Sequence, residues 1–212
     1  MKGKLIAIEG VDSSGKGTQA KLLFERLKAE GKEAVLVSFP RYEAFTGMLV
    51  KKYLRGEFGS LKEVKPEFSA LLYTLDRCNA MPFLEQQLAQ GKIVVCDRYI
   101  ASNIAHQAAK FTGQEREKFI KWISAVESRL PMPAATAFLD LPVETSVSLM
   151  QSRQREKDIH ELNKPYLEAT REVYKLLSKS HGWISIDCRS GKGIRPREEI
   201  HEELWKKVRC LI

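Results

Sequence analysis

Four cysteines are all this chain has, and they are scattered. Cys78, Cys96, Cys188 and Cys210 form no Cys-x-x-Cys pair, and the four histidines are not clustered. A disulfide scaffold and a structural zinc site are therefore excluded, and a reducing compartment is expected. Long apolar runs are missing too. Near the N-terminus only Leu5 to Ile8 is apolar before Glu9 interrupts, too short for a signal-peptide core, and no later stretch approaches a membrane span. The expectation is a soluble, cytoplasmic protein with no membrane partner. Low-complexity tracts and internal repeats are absent as well. Apolar residues make up 43% and charged residues 29% of the 212, which is ordinary globular usage and excludes a disordered or collagen-like chain.

What is present is positive charge. Thirty-five Lys and Arg against twenty-seven Asp and Glu leave a net charge of +8, which suits an anionic partner. The basic residues are spread along the chain. The densest stretches, Arg153 to Lys157 and Arg189 to Arg209, are interleaved with acids, and aromatics do not alternate with arginines as in a single-strand binder. Solvated helix faces account for this pattern better than nucleic acid does. A small phosphorylated molecule is the expected anion.

Five short apolar runs alternate with helical patterns. Leu5–Glu9, Ala34–Ser38, Ile93–Cys96, Thr136–Asp140 and Trp183–Asp187 are apolar nearly throughout, as strands covered on both faces should be. Helical patterns fill Lys16–Glu30, Pro66–Gln90, Ile100–Lys110, Gln114–Leu130, Val143–Arg153, Pro165–Ser180 and Arg197–Leu211. This alternation predicts an α/β fold: one domain over residues 1–212, with a five-stranded parallel sheet flanked by helices on both faces. The polar stretch at 151–164 fits neither pattern and reads as a solvated loop, a helix extension or an arginine-bearing lid.

The first strand runs into Gly10-Val11-Asp12-Ser13-Ser14-Gly15-Lys16-Gly17-Thr18 and then a helix. This glycine-rich spacing is a phosphate-binding loop. Its N–H groups turn inward, the helix offers its positive end, and Lys16 reaches the β- and γ-phosphates of a nucleotide such as ATP. The residue after the lysine is usually Ser or Thr, which meets Mg²⁺; here it is Gly17. Either Thr18 substitutes or the metal keeps more of its waters.

Further motifs fall at the carboxyl edge of the predicted sheet. Phe39-Pro40-Arg41 ends the second strand and Asp97-Arg98-Tyr99 ends the third. Tyr73 and Arg77 share one helix face, and Ala101-Ser102-Asn103 with His106-Gln107 opens the next helix over the same crevice. A ring for stacking, three arginines and an acid near the metal describe a site for a nucleotide acceptor. In this order and spacing, Gly10-Val11-Asp12 with Gly15-Lys16, Phe39-Pro40-Arg41, Leu75-Asp76-Arg77 and Asp97-Arg98-Tyr99 with Ala101-Ser102-Asn103 resemble the thymidylate kinase family, from Leu5 to about Tyr174.

The resemblance implies a P-loop NTPase fold with a short lid, transfer of the γ-phosphoryl of ATP to dTMP, Mg²⁺ as cofactor and a homodimer. It assigns Asp12 to the acceptor side and the metal region, and Arg41 and Arg98 to the dTMP phosphate. Tyr73 stacks on thymine, Arg77 meets a thymine carbonyl, and Asn103 reads the base with Phe39 and Gln107 nearby. His106 stands beside the sugar where many members have tyrosine. Asp97 supports Mg²⁺ through water, with Thr18 and Asp12 as further candidates. The loop lacks a basic residue at Ser13 and Ser14, so the chain resembles members whose catalytic arginine comes from the lid: Arg153 first, Arg155 second, alongside Lys16, Arg98 and Asp12. Tyr166 either closes over the acceptor or packs in the core. The rivals are a broader pyrimidine nucleotide kinase, a nucleotide-dependent switch protein and a nucleic-acid-stimulated ATPase.

Overall fold

The structure, a computed structural model, describes residues 3–151, 160, 163–191 and 193–212. Arg153 and Arg155, with most of the stretch at 151–164, lie outside the described residues.

Strand β1 (Lys4–Gly10) is buried from Leu5 onward and leads into helix α1 (Lys16–Ala29). Strand β2 (Ala34–Ser38) is followed by α2 (Phe45–Leu54) and the long α3 (Pro66–Ala89), which opens on the proline of its first turn. Then come β3 (Ile93–Asp97), α4 (Ile100–Ala108), α5 (Gly113–Val126) and β4 (Ala135–Asp140). Helices α6 (Val143–Gln151) and α7 (Lys164–His181) precede β5 (Ile184–Asp187). Asn163 caps α7 by accepting from the Tyr166 N–H. A small hairpin, β6 (Arg189–Ser190) and β7 (Gly193–Ile194), and α8 (Arg197–Val208) complete the chain.

The five long strands form one parallel sheet in the order β2-β3-β1-β4-β5. The register aligns their carboxyl ends: Ile8 and Ser38 each pair with Asp97, and Gly10 pairs with Leu139. The phosphate loop, Phe39-Pro40-Arg41 and Asp97-Arg98-Tyr99 therefore leave the sheet along one edge, where open α/β sheets bind their ligands. Beneath that edge Ile6, Ile8, Val94, Val95, Phe138 and Leu139 are fully buried, which explains why the strands read as continuous apolar runs.

Three features depart from the sequence reading. Trp183 precedes β5 instead of belonging to it. The β6–β7 hairpin lies between the fifth predicted strand and the last predicted helix, and its two-residue strands are too short for a period to register. Helix α2 was not expected. Its Val50, Tyr53 and Leu54 build a second small core with Val64 and Leu72, so contacts from α3 create a helix that local pattern alone leaves ambiguous. Gly47 lets α2 lie against the Arg41 backbone, since a Cβ there would overlap the Arg41 carbonyl.

Candidate active site

Two recesses open on the carboxyl edge. The first is the phosphate loop itself, bounded by Ser13, Gly15, Lys16, Gly17, Thr18 and Asp97, with Asp12 and Arg98 at one end. Gly15, the N-cap of α1, has φ 91°, a conformation glycine adopts without strain, and Ser13 at φ 58° holds a rarer one. Lys16 is buried and its Nζ donates to the Val11 carbonyl at 2.6 Å. Burial, with Arg98 close by, pushes its ammonium down to about 8. The hydroxyls of Ser13 and Ser14 are buried without a partner, as donors awaiting an anion would be.

The same groove fits a hydrated magnesium ion. Oδ1 of Asp97 is buried without a partner, and a Cβ on Gly17 would stand 3.0 Å from Oδ2. Glycine at 17 thus leaves room beside this carboxylate. Among the described residues no three His, Cys, Asp or Glu side chains gather into a cage. One carboxylate with nucleotide phosphates and waters is the donor set magnesium ordinarily takes. Asp97 would hold the ion, and Thr18 lies in the same groove.

The second recess is a separate cavity. Phe39, Pro40, Tyr42, Tyr73, Arg77, Ser102, Asn103, His106 and His160 line it, together with Asp12 and Arg98. Asp12 and Arg98 are ion-paired there, so the same two side chains border both recesses. Burial alone would raise the Asp12 carboxyl, but Arg98 and Lys16 hold it well below the usual carboxylate range. Arg98 has φ 65°, a strained conformation that turns its guanidinium toward Asp12 and the Ser102 hydroxyl, 3.2 Å away.

Sequence reasoning had not singled out Glu9, His160 or Glu127. Fully buried Glu9 accepts from the N–H of Tyr99 (2.8 Å) and of Ser102 (3.3 Å), and from the hydroxyls of Ser102 (2.6 Å) and Tyr174 (3.2 Å). It caps α4 from another strand. Within an apolar run, its interruption of Leu5–Ile8 was the available signal. His160 stacks on His106 with ring centres 5.4 Å apart, and its Nε2 is 2.9 Å from the Tyr53 hydroxyl. Nothing in its polar neighbourhood marks it. Burial pushes His106 down to about 3 and His160 well below its ordinary value.

Tyr166 donates its hydroxyl proton to the His106 carbonyl at 2.9 Å, so His106 Nδ1, at 3.1 Å from the same oxygen, is the donor in that pair. Tyr166 therefore backs the cavity wall instead of lining it. Two other expected residues do not line the cavity. Gln107 is buried and accepts from the Ser69 hydroxyl at 2.6 Å. Arg41 is tied to Asp76 through Nε (3.2 Å) and its own N–H (2.8 Å), and to Asn79 through Nη2 (2.6 Å). Arg77 is buried in an ion pair with Glu127, not on a helix surface beside Asp76.

A phosphate loop opening on a second polar, ring-lined cavity defines a P-loop kinase that passes a phosphoryl group between two nucleotides. Residues 8–202 match the sequence profile of the thymidylate kinase family, and the chain belongs to that family. It is 30% identical over 210 residues to a probable thymidylate kinase of Pyrococcus abyssi, covering 99% of this chain and 97% of the relative. Identity to the thymidylate kinase of Halothermothrix orenii is 30% over the full length of both. The thymidylate kinase of Candida albicans, whose structure is described as revealing the origin of broad substrate specificity, superposes with a TM-score of 0.79 at 25% identity, covering 99% of this chain and 92% of that one. The chain is accordingly an ATP- and Mg²⁺-dependent nucleoside monophosphate kinase that phosphorylates dTMP, the step that leads toward dTTP.

Proposed function

We propose that dTMP enters the ring-lined cavity base first while ATP lies along the phosphate loop, and that transfer takes place where Asp12 and Arg98 border both. That shared border is the observation that carries the reading. Tyr73 offers a ring for the base to stack on, and Arg77 and Asn103 face its edge. His106 and His160 wall the sugar. Arg98 draws the acceptor phosphate toward the loop, and Arg41 joins it by exchanging its bonds to Asp76 and Asn79.

The nucleophile is a phosphate oxygen that is already ionised, so no side chain has to remove a proton. Catalysis rests on positioning and on positive charge. Lys16 and the loop N–H groups hold the donor phosphates. Magnesium, when bound beside Asp97, neutralises phosphate charge. Arg153, followed by Arg155, supplies the remaining cation from the lid at 151–164.

The chain is one kinase domain that acts as a homodimer in the cytoplasm. Phe68, Leu71 and Leu75 leave an apolar stripe of α3 exposed, between 43% and 47% each, which supports a second copy packing there. Four free cysteines fit a reducing compartment, and no described helix is long and apolar enough to cross a membrane.

The test is ADP release with Mg·ATP against dTMP, dUMP, dCMP, UMP, CMP, AMP and thymidine. Turnover on dTMP well above dUMP and UMP is expected. Comparable rates on UMP would mean that the histidine pair leaves room for a ribose hydroxyl, making a broader pyrimidine kinase. ATP binding without acceptor-dependent turnover would overturn the reading.

A further inference from the structure

Glu127 closes the C-terminal end of α5 and is 1% exposed. It does not line the acceptor cavity, yet it touches both residues that face the base. Its Oε1 accepts from Arg77 through Nε (3.1 Å) and Nη2, from Asn103 Nδ2 (3.0 Å) and from the Thr74 hydroxyl (2.6 Å). Asn103 Nδ2 also donates to the Ala70 carbonyl at 3.1 Å.

These bonds settle which way each side chain faces. The Asn103 amide nitrogen lies between a carboxylate and a carbonyl, both acceptors. A flip would set its oxygen against two oxygens, so Oδ1 is held away from Glu127. That atom is buried and without a partner, on a residue that lines the cavity. Arg77 spends Nε and Nη2 on Glu127 and is itself a residue of the cavity lining, which leaves Nη1 as the guanidinium nitrogen not engaged by that carboxylate.

We propose that Glu127 is a positioning residue for base selection: it fixes one acceptor, Asn103 Oδ1, beside one donor, Arg77 Nη1. A pyrimidine-2,4-dione answers that pattern with its N3–H and a ring carbonyl. A 4-aminopyrimidine presents a bare N3 and an amino group, and mismatches both. Thymine is therefore admitted and cytosine refused by a carboxylate that neither base touches. The inference rests on the cavity's being the dTMP site.

The experiment compares kcat and KM for dTMP and 5-methyl-dCMP, which differ only in the base edge, in wild type and Glu127→Gln, with thermal melting of both. Wild type should prefer dTMP by at least about 10³-fold, since a site built around specific hydrogen bonds leaves its own groups unpaired with the wrong partner. In Glu127→Gln the lost charge loosens Arg77 and frees the Asn103 amide to flip. The preference should fall by at least about tenfold, carried by KM for dTMP with kcat nearly unchanged. A folded Glu127→Gln enzyme with the wild-type preference would overturn the proposal, because a merely structural Glu127 would move melting and kcat and spare the ratio. Should that variant not fold, Glu127→Asp, which keeps the charge but withdraws it from Arg77 and Asn103, should narrow the preference in the same direction, and a folded Glu127→Asp enzyme with the wild-type preference would overturn the proposal. A wild-type enzyme that transfers nothing to dTMP would remove the cavity reading and this inference together.

Discussion

Replacing Glu9 by alanine should damage the acceptor site from within the sheet. Its carboxyl accepts four hydrogen bonds, two of them from backbone N–H groups at the start of α4 that have no helical partner of their own. At about 1 kcal/mol net for each bond the loss is about 4 kcal/mol. Burial raises the Glu9 pKa, so its charged form is itself disfavoured in place and that sum is an upper bound. A loss of up to about 4 kcal/mol corresponds to up to about 8–16 °C in Tm for a chain of this size. Glu9→Gln should lose far less, since its oxygen still accepts from both N–H groups and its amide donates to Ser102 and Tyr174. Because α4 carries Ser102, Asn103 and His106, Glu9→Ala should raise KM for dTMP about tenfold or more and leave KM for ATP within about threefold. Differential scanning calorimetry and steady-state kinetics read both effects. A Glu9→Ala protein that melts within about 2 °C of wild type would refute the capping argument.

Acid should destabilise the fold through its buried histidines. His106 falls from an ordinary 6.5 to about 3 in the folded protein, so the unfolded chain binds its proton first and stability drains as pH falls below 6.5. From pH 7 to pH 5 that one group accounts for about 2 kcal/mol, and a urea series on His106→Gln should be flatter by that amount; parallel curves would refute it. Lys16 at about 8 should take up a proton when ATP phosphates arrive, so ATP binding weakens above pH 8. Titration calorimetry in two buffers of different ionisation heat measures that uptake near pH 8.5, and zero uptake would count against it. Arg153→Ala should lower kcat on the order of 10³-fold while weakening dTMP binding far less, which single-turnover kinetics separates from product release. Unchanged turnover in both Arg153→Ala and Arg155→Ala would sink the lid assignment.

The parts of this protein legible in one dimension are those governed by local rules. A buried parallel strand must be apolar throughout, a phosphate loop must place glycines and a lysine at fixed spacing, and strand ends must carry the edge motifs. Gly10 to Thr18, Phe39-Pro40-Arg41 and Asp97-Arg98-Tyr99 could therefore be placed on one edge before any coordinates. Tyr73 and Arg77 shared a face by helical period alone. Partner choice is another matter, because a hydrogen bond is made by groups that chain distance does not predict. Glu9 meets Tyr174 across 165 residues, Tyr53 meets His160 across 107, and Arg77 meets Glu127 across 50. Arg41 was read as a phosphate ligand and is held by Asp76 and Asn79, and Gln107 was read into the crevice and is held by Ser69. Residue type and spacing determined that this chain binds a nucleotide, and where along it. Which side chains stand behind the binding groups was decided only when packing brought Arg77 of α3 and Asn103 of α4 onto the buried Glu127 carboxylate at the end of α5, where a buried charge must find partners.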